Sequence, residues 1–169
     1  MVSYQTAYLK YYYPMEFMAA LMTSVIDNIT KVSEYILSCR QMGMKILPPD
    51  INEGESGFSV HGDSIRYGLS AIKSVGKSVV AEIERERSER GYFTSLEDFV
   101  DRMSNKEVNK RTLENFIKSG ALDTLPGTRK QKIAVMPILL ESKARERKSV
   151  IEGQLSLFDI AGELSLIHI

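Results

Sequence analysis

The chain has 169 residues, no net formal charge, 43% hydrophobic residues and 26% charged residues, which is ordinary for a globular protein and names no function. No apolar run approaches the roughly 18 residues that span a bilayer, and the start lacks a signal-peptide pattern, so we expect a cytoplasmic protein. A single cysteine, Cys39, and two histidines exclude an internal disulfide and a credible zinc site. Lys and Arg outnumber Asp and Glu over residues 64–151, while both ends are acidic. This asymmetry favours an anionic partner for the centre, although a solvated helix face is the commoner cause.

Three helices are predicted in the first 43 residues. Residues 4–12 can form one, and Pro14 suits the first turn of the next, where a missing N–H has no cost. Asp27 or Asn28 can cap a third helix, which Gly43 ends. Apolar residues recur at helical spacing in the second helix, at Phe17, Met18, Leu21, Met22 and Val25. We therefore interpret this region as core and not as a site.

A boundary follows at Pro48 and Pro49, which force extended backbone and end any helix. Beyond it, "GFSV" and "IRYGL" alternate apolar and polar residues on either side of a turn at residues 61–63. The sequence predicts a small hairpin or an extended crossing segment there.

Helices return from Ser70 onward. The patterns predict a short helix ending near Ser74, then helices over 77–90, from Ser95, and over 109–119. The helix at Ser95 carries an S-x-x-D pattern, a form of capping box. A basic helix containing Pro137 should cover residues 128–150, and the end of the chain should be an extended tail. The predicted fold is mainly α with a short β-like segment.

The stretch "IKSVGKSVVAEI", residues 72–83, has the form of a helix-hairpin-helix turn. Its glycine permits a tight bend, and the amides of the turn and of the next helix's first residues are left without helical partners. A phosphate oxygen can satisfy them with Lys73 and Lys77 alongside, and such contacts do not read base sequence. A plain helix-helix corner is an equally good interpretation of this stretch alone. A second, looser copy at "LENFIKSGALDTL" would let the module straddle a backbone, which favours the phosphate hypothesis.

The segment "QLSLF", residues 154–158, combines a glutamine amide with a Leu-Phe pair. It suits a partner with one polar notch and an adjoining apolar pocket, or alternatively forms an apolar strand on its own domain.

No two aspartates occur at i, i+2, and no P-loop or Rossmann glycine pattern is present. The 169-residue chain is therefore not expected to catalyse a reaction by itself.

Several longer segments, in this order and spacing, resemble the alpha subunit family of bacterial DNA polymerase III. They are "VSYQTAYLK", "YYYPMEFMAALMTS", "DNITKVSEYILSCRQMGMKILPPDIN", "IRYGLSAIKSVGKSVVAEI", "VNKRTLENFIKSGALD" and "GQLSLFD". The resemblance covers residues 2 to about 159. It implies that residues 1–47 are the helical end of a fingers domain and 48–125 a tandem helix-hairpin-helix domain that holds duplex DNA. A basic helix over 126–153 and an extended tail over 154–169 with a clamp-binding motif would follow.

The resemblance also assigns roles to single positions. The first phosphate-contacting turn would consist of Lys73, Ser74, Val75, Gly76, Lys77 and Ser78. The second would consist of Lys118, Ser119 and Gly120, with Lys110 and Arg111 nearby. Docking on the sliding clamp would use Gln154, Leu155, Leu157 and Phe158. Members of the family usually carry glycine at the position of Ser74.

The family's catalytic aspartates, metal-binding N-terminal domain and OB-fold have no counterpart here, so the resemblance implies an internal fragment of a longer chain. We expect no cofactor in this stretch, and Mg²⁺ is implied for the intact polymerase. Expected partners are duplex DNA, the sliding clamp and other subunits of the replicative holoenzyme. The leading hypothesis is a piece of a replicative DNA-directed DNA polymerase, a nucleotidyltransferase, that binds duplex DNA and docks on the clamp. The alternative is a non-catalytic protein-interaction module with no DNA role.

Overall fold

The computed structural model describes residues 2–103 and 108–167, and for residues 155, 156 and 158–167 it describes the backbone alone. The helices are α1 (Val2–Tyr12), α2 (Pro14–Ser24), α3 (Ile29–Gln41), α4 (Lys77–Arg90), α5 (Leu96–Met103), α6 (Lys110–Ser119) and α7 (Arg129–Ile167). A short 3-10 helix covers Leu69–Ala71, and three strands complete the fold: β1 (Lys45–Leu47), β2 (Ser59–His61) and β3 (Ser64–Arg66). The predicted mainly α fold with a short β segment is confirmed.

Helix starts follow the capping residues of the sequence. Pro14 occupies the first position of α2, and the Asn28 side chain accepts a hydrogen bond from the Lys31 amide at 3.2 Å. At α5 the Ser95 hydroxyl accepts from the Asp98 amide at 3.0 Å. Each cap satisfies a backbone donor that the first turn of a helix leaves without a partner. The predicted starts of these three helices are confirmed.

The sheet has the strand order β1-β3-β2. β2 and β3 pair antiparallel with Val60 opposite Ile65, which confirms the predicted hairpin. β1 pairs parallel with β3, with Ile46 opposite Ile65, and this strand was not predicted. It is three residues long and forms only by pairing with a strand far along the chain, so no local alternation signals it.

The buried apolar residues form two cores. The first is formed by α2, α3 and the hairpin, and its buried members are Met18, Ala19, Met22, Val32, Cys39, Phe58 and Ile65. The second joins the 3-10 helix to α4, α5, α6 and the start of α7, where Met136 is 2% exposed. The expected boundary between residues 47 and 48 does not separate these cores, because the hairpin packs with the N-terminal helices.

Helix α7 corrects the expected extended tail. The backbone remains helical from Arg129 through Ile167, so residues 154–167 are not extended, and residues 168 and 169 lie outside the described part. Pro137 lies inside this helix without ending it. The sequence after Pro137 contains no further proline, and its Leu, Ile, Ala and Glu residues favour helix, which explains the continuation. Glycines 153 and 162 were too weak a signal to stop it.

The segment after the two prolines is fastened to α4 by charged side chains of that helix. The guanidinium Nη1 of Arg87 donates to the carbonyls of Ile51 and Gly54, at 3.0 and 2.7 Å. Glu84 Oε1 accepts from the Ser56 amide at 2.9 Å. These bonds satisfy backbone groups of an irregular segment, and they hold it against the helix that follows the candidate turn.

Candidate nucleic-acid interface

In the turn before α4, the polar residues are exposed to solvent and one apolar residue packs into the core. Lys73, Ser74, Gly76 and Lys77 are exposed, and so is Ser78, in the first turn of the helix. Val75 is buried in the second core. The first predicted turn is therefore a surface feature with one of its own side chains, that of Val75, packed into the core.

Ser74 has a φ of +64°, in the left-handed region. Among the residues the structure describes, it is the one non-glycine residue with positive φ. A Cβ atom in this region crowds the following carbonyl oxygen, so glycine is favoured there. The backbone of the turn is thus the one that glycine normally adopts, built here with serine.

Gly76 caps the N-terminus of α4 in an ordinary extended conformation, with φ −78° and ψ 157°. A Cβ added to it would meet only the Ser78 hydroxyl, at 3.7 Å. No side chain caps this helix, and within the described ranges the amides of Gly76 and Lys77 carry no hydrogen bond. The fold therefore does not require glycine at position 76, and the helix N-terminus is open to an anion.

Helix α6 contacts the turn through two side chains that the sequence analysis did not single out. The Thr112 hydroxyl donates to the Ser74 carbonyl at 3.2 Å, and Asn115 Nδ2 donates to the Lys73 carbonyl at 2.8 Å. These contacts bring the N-terminal half of α6 against the turn. Lys110 and Arg111, in the first turn of that helix, are exposed. No motif marks Thr112 or Asn115, since each is an uncharged polar residue whose partner lies about 40 residues earlier in the chain.

A groove of about 410 Å³ runs beside the turn, and Lys73, Lys118 and Ser119 all line it. Tyr67 lies on its wall, and burial raises the pKa of that phenol. Lys118 Nζ is 2.6 Å from Glu114 Oε1 on the same helix, and this hydrogen bond lowers the pKa of the Glu114 carboxyl. The structure therefore brings members of the two predicted turns to one groove.

The second predicted turn differs from the first at Gly120. This residue is buried with a φ of +89° and ends α6, and its amide donates to the Ile117 carbonyl at 3.2 Å. A Cβ at Gly120 would stand 2.7 Å from Arg129 Nη2. The end of α6 therefore uses the Gly120 amide as a donor, and phosphate contact by Lys118, Ser119 and Gly120 stays a prediction.

An ion pair covers this second turn. Arg129 Nε donates to Asp123 Oδ1 at 2.8 Å. The hydrogen bond lowers the pKa of the Asp123 carboxyl and raises the pKa of the Arg129 guanidinium. The guanidinium also donates to the Lys118 carbonyl at 3.4 Å, so the pair fastens α7 to the end of α6.

The predicted clamp-binding residues lie on α7. Gln154 is exposed and Leu157 is 67% exposed, while the side chains of Leu155 and Phe158 lie outside what the structure describes. Among the side chains that the structure describes, no group of three His, Cys, Asp or Glu residues could hold a metal ion. No described helix is both long and apolar enough to cross a membrane.

Comparison with known proteins identifies the fold around the first turn. The family described as "Helix-hairpin-helix motif" matches residues 43–132. DNA polymerase III subunit alpha of Thermus aquaticus is 42% identical over 168 residues, covering 99% of this chain and 14% of that protein. The subunit of Deinococcus radiodurans is 47% identical over 143 residues, which are 85% of this chain and 11% of that protein. The subunit of Mycobacterium tuberculosis is 41% identical over 158 residues, which are 94% of this chain and 13% of that protein. The chain thus spans between about a ninth and a seventh of the length of these relatives. It belongs to the helix-hairpin-helix family, in the version found in bacterial DNA polymerase III alpha subunits.

Proposed function

We propose that this chain binds duplex DNA through backbone phosphates at the turn of residues 73–78, as part of a DNA-directed DNA polymerase that acts in replication. The observation that carries the proposal is the uncapped start of α4. Gly76 and Lys77 are exposed, their amides have no acceptor among the described residues, and the side chains of Lys73 and Lys77 add positive charge nearby. Family membership and the similarity to DNA polymerase III alpha subunits support it.

The physical basis is the concentration of donors and positive charge at one point. A phosphate oxygen accepts from the free amides, and the helix dipole adds about 0.3–1 kcal/mol. Lys73 and Lys77 each neutralise one phosphate and release its counterions. Because these contacts reach the sugar-phosphate backbone and not base edges, binding is independent of sequence.

The test is a titration of the chain with a labelled duplex at several salt concentrations. The slope of log K against log salt is negative, and changing Lys73 and Lys77 to glutamine should reduce its magnitude by about 2. The matched control replaces Lys10 and Lys45, which are exposed on α1 and β1, and should leave the slope nearly unchanged. Equal slopes for the wild type and the Lys73/Lys77 variant would contradict the proposal.

We further propose that Gln154, Leu155, Leu157 and Phe158 dock on the sliding clamp. The exposed apolar side chains of α7 support this, since Val150, Ile151 and Leu157 are all more than half exposed to water. A second weak contact on one chain can raise avidity by about 10² to 10⁴ over either contact alone. Clamp docking would thereby hold the polymerase near DNA, and the same logic extends to other holoenzyme subunits.

Alanine at positions 157 and 158 separates docking from folding. We expect the double variant to lose clamp association and keep duplex affinity nearly intact, measured by surface plasmon resonance on each partner. Equal loss of both would mean that these residues belong to the fold. Retained clamp association would contradict the docking proposal.

The competing function is a protein-interaction module with no DNA role. The same exposed apolar residues of α7 favour it. This alternative would be established if substitution of Lys73 and Lys77 left duplex binding unchanged while the tail still bound its protein partner. In the polymerase proposal, Mg²⁺ and the catalytic aspartates belong to other parts of a longer chain, because no two aspartates occur at i, i+2 here.

A further inference from the structure

We propose that Thr112 and Asn115 of α6 are positioning residues that aim the amide of Ser74 at a DNA phosphate. This inference rests on the proposed function and deepens it, because it adds a third backbone donor and names the side chains that orient it. Neither residue carries charge, and neither is itself proposed to touch DNA.

The two side chains hold consecutive carbonyls of the turn. Asn115 Nδ2 donates to the Lys73 carbonyl at 2.8 Å, and the Thr112 hydroxyl donates to the Ser74 carbonyl at 3.2 Å. Positions 112 and 115 are three residues apart, so both side chains lie on the same face of α6. One helix face therefore fixes two successive peptide groups.

Peptide geometry converts this hold into a direction for the Ser74 amide. The described chain contains no cis peptide bond, so the carbonyl of Lys73 and the N–H of Ser74 lie in one peptide plane and point in opposite directions. Because Asn115 holds the carbonyl, the N–H points away from α6. Ser74 is exposed, and its amide carries no hydrogen bond in the part of the chain that the structure describes.

The conformation of Ser74 is the one from which anion sites are built. Its φ of +64° is left-handed, and left-handed residues form the nests in which successive amides converge on an anion. A serine holds this conformation only where surrounding contacts impose it. Three contacts hold it here: the two bonds from α6, and the turn bond that the Val75 amide donates to the Ile72 carbonyl at 3.2 Å.

Thr112 is itself held in place, so its hydroxyl can fix the conformation of Ser74. It is 3% exposed, and its own amide donates to the Asn109 side chain at 2.9 Å. The N-cap of α6, the buried threonine and the strained turn are thus one connected set of hydrogen bonds.

The experiment uses the 169-residue chain, a fluorescent duplex and a series of salt concentrations. Thr112→Val and Asn115→Leu keep the size and the charge and remove the donor. Each should weaken duplex binding by about tenfold at fixed salt, the effect of losing one well-aimed hydrogen bond to a charged acceptor. The slope against salt should stay at the wild-type value, because no cation is removed. Thr112→Ser keeps the hydroxyl donor and should retain wild-type affinity. Lys73→Gln removes one cation and should reduce the magnitude of the salt slope by about 1.

A measurement on the unmutated chain guards against variants that fail to fold. Addition of duplex should move the Ser74 amide proton downfield in the nitrogen-proton spectrum, as expected for a new bond to a phosphate. An unmoved Ser74 resonance in a chain that does bind duplex overturns the inference. The inference is also overturned if the Thr112→Val and Asn115→Leu variants fold and bind duplex like the wild type. Both results leave the proposed function standing if Lys73→Gln still lowers the slope. A wild type that binds no duplex overturns the proposed function and the inference with it.

Discussion

Ser74 gives a prediction in which a glycine should stabilise the protein. The residue lies at φ +64°, where an L-amino acid is disfavoured by about 1–2 kcal/mol relative to the right-handed region. Glycine adopts this conformation without that cost, but it adds about 0.4–1 kcal/mol of conformational entropy to the unfolded chain. The difference predicts that Ser74→Gly stabilises the fold by about 0.5–1 kcal/mol.

The assay is thermal unfolding followed by circular dichroism. For a chain of this size, that gain corresponds to a rise in Tm of about 1–4 °C. Ser74→Ala is the matched control, because it keeps the disfavoured φ and should leave Tm nearly unchanged. Both variants retain the carbonyl that Thr112 holds.

The reasoning would be refuted if Ser74→Gly lowered Tm. A decrease would mean that serine in solution occupies an ordinary conformation, in which glycine only adds unfolded-state entropy. The turn would then lack the left-handed residue on which the proposed anion nest depends.

Three further predictions concern the second turn and the tail. Gly120→Ala should destabilise the fold by about 1–2 kcal/mol in urea unfolding, because φ is +89° and the new Cβ would meet Arg129; an unchanged midpoint would refute this. The pKa of Asp123 is lowered by Arg129, so its contribution to stability is present above the unfolded pKa near 4 and is lost as pH falls through the lower folded value. Asp123→Asn should lack that part of the acid dependence, measured by unfolding between about pH 6 and pH 2, and identical profiles would contradict it. Gly153→Ala, at an open position inside α7, should favour the helix by about 1 kcal/mol. If docking needs an extended segment, the same change weakens clamp affinity about fivefold, whereas unchanged affinity means that the helix itself docks.

Much of the helical framework could be predicted because its signals are local. Asn28 and Ser95 mark helix starts, since each side chain bonds an amide three residues later. The hairpin of β2 and β3 was predicted from alternation around a short turn. The start of α4 directly after Gly76 was also predicted, from the change between a polar break and an apolar helical pattern.

The features that were missed depend on partners distant in the sequence. Strand β1 exists only through its pairing with β3, and Thr112 and Asn115 gain importance only by reaching the turn some 40 residues earlier. Gly120 resembled Gly76 in its local pattern, yet one ends a helix and the other begins one. The tail was predicted to be extended from its apolar character, but without a proline the helix of α7 continues through it.

Position 76 offers the most direct measurement of the central claim, that an open backbone at the start of α4 meets a phosphate. Gly76→Ala suits the observed φ of −78°, and its methyl group would make only an ordinary contact with the Ser78 hydroxyl, so stability should hold or rise by about 0.4–1 kcal/mol. Duplex affinity should nevertheless fall by about tenfold, because the methyl group stands where the phosphate approaches the amides. A variant that is as stable as the wild type and binds duplex equally well would contradict the account.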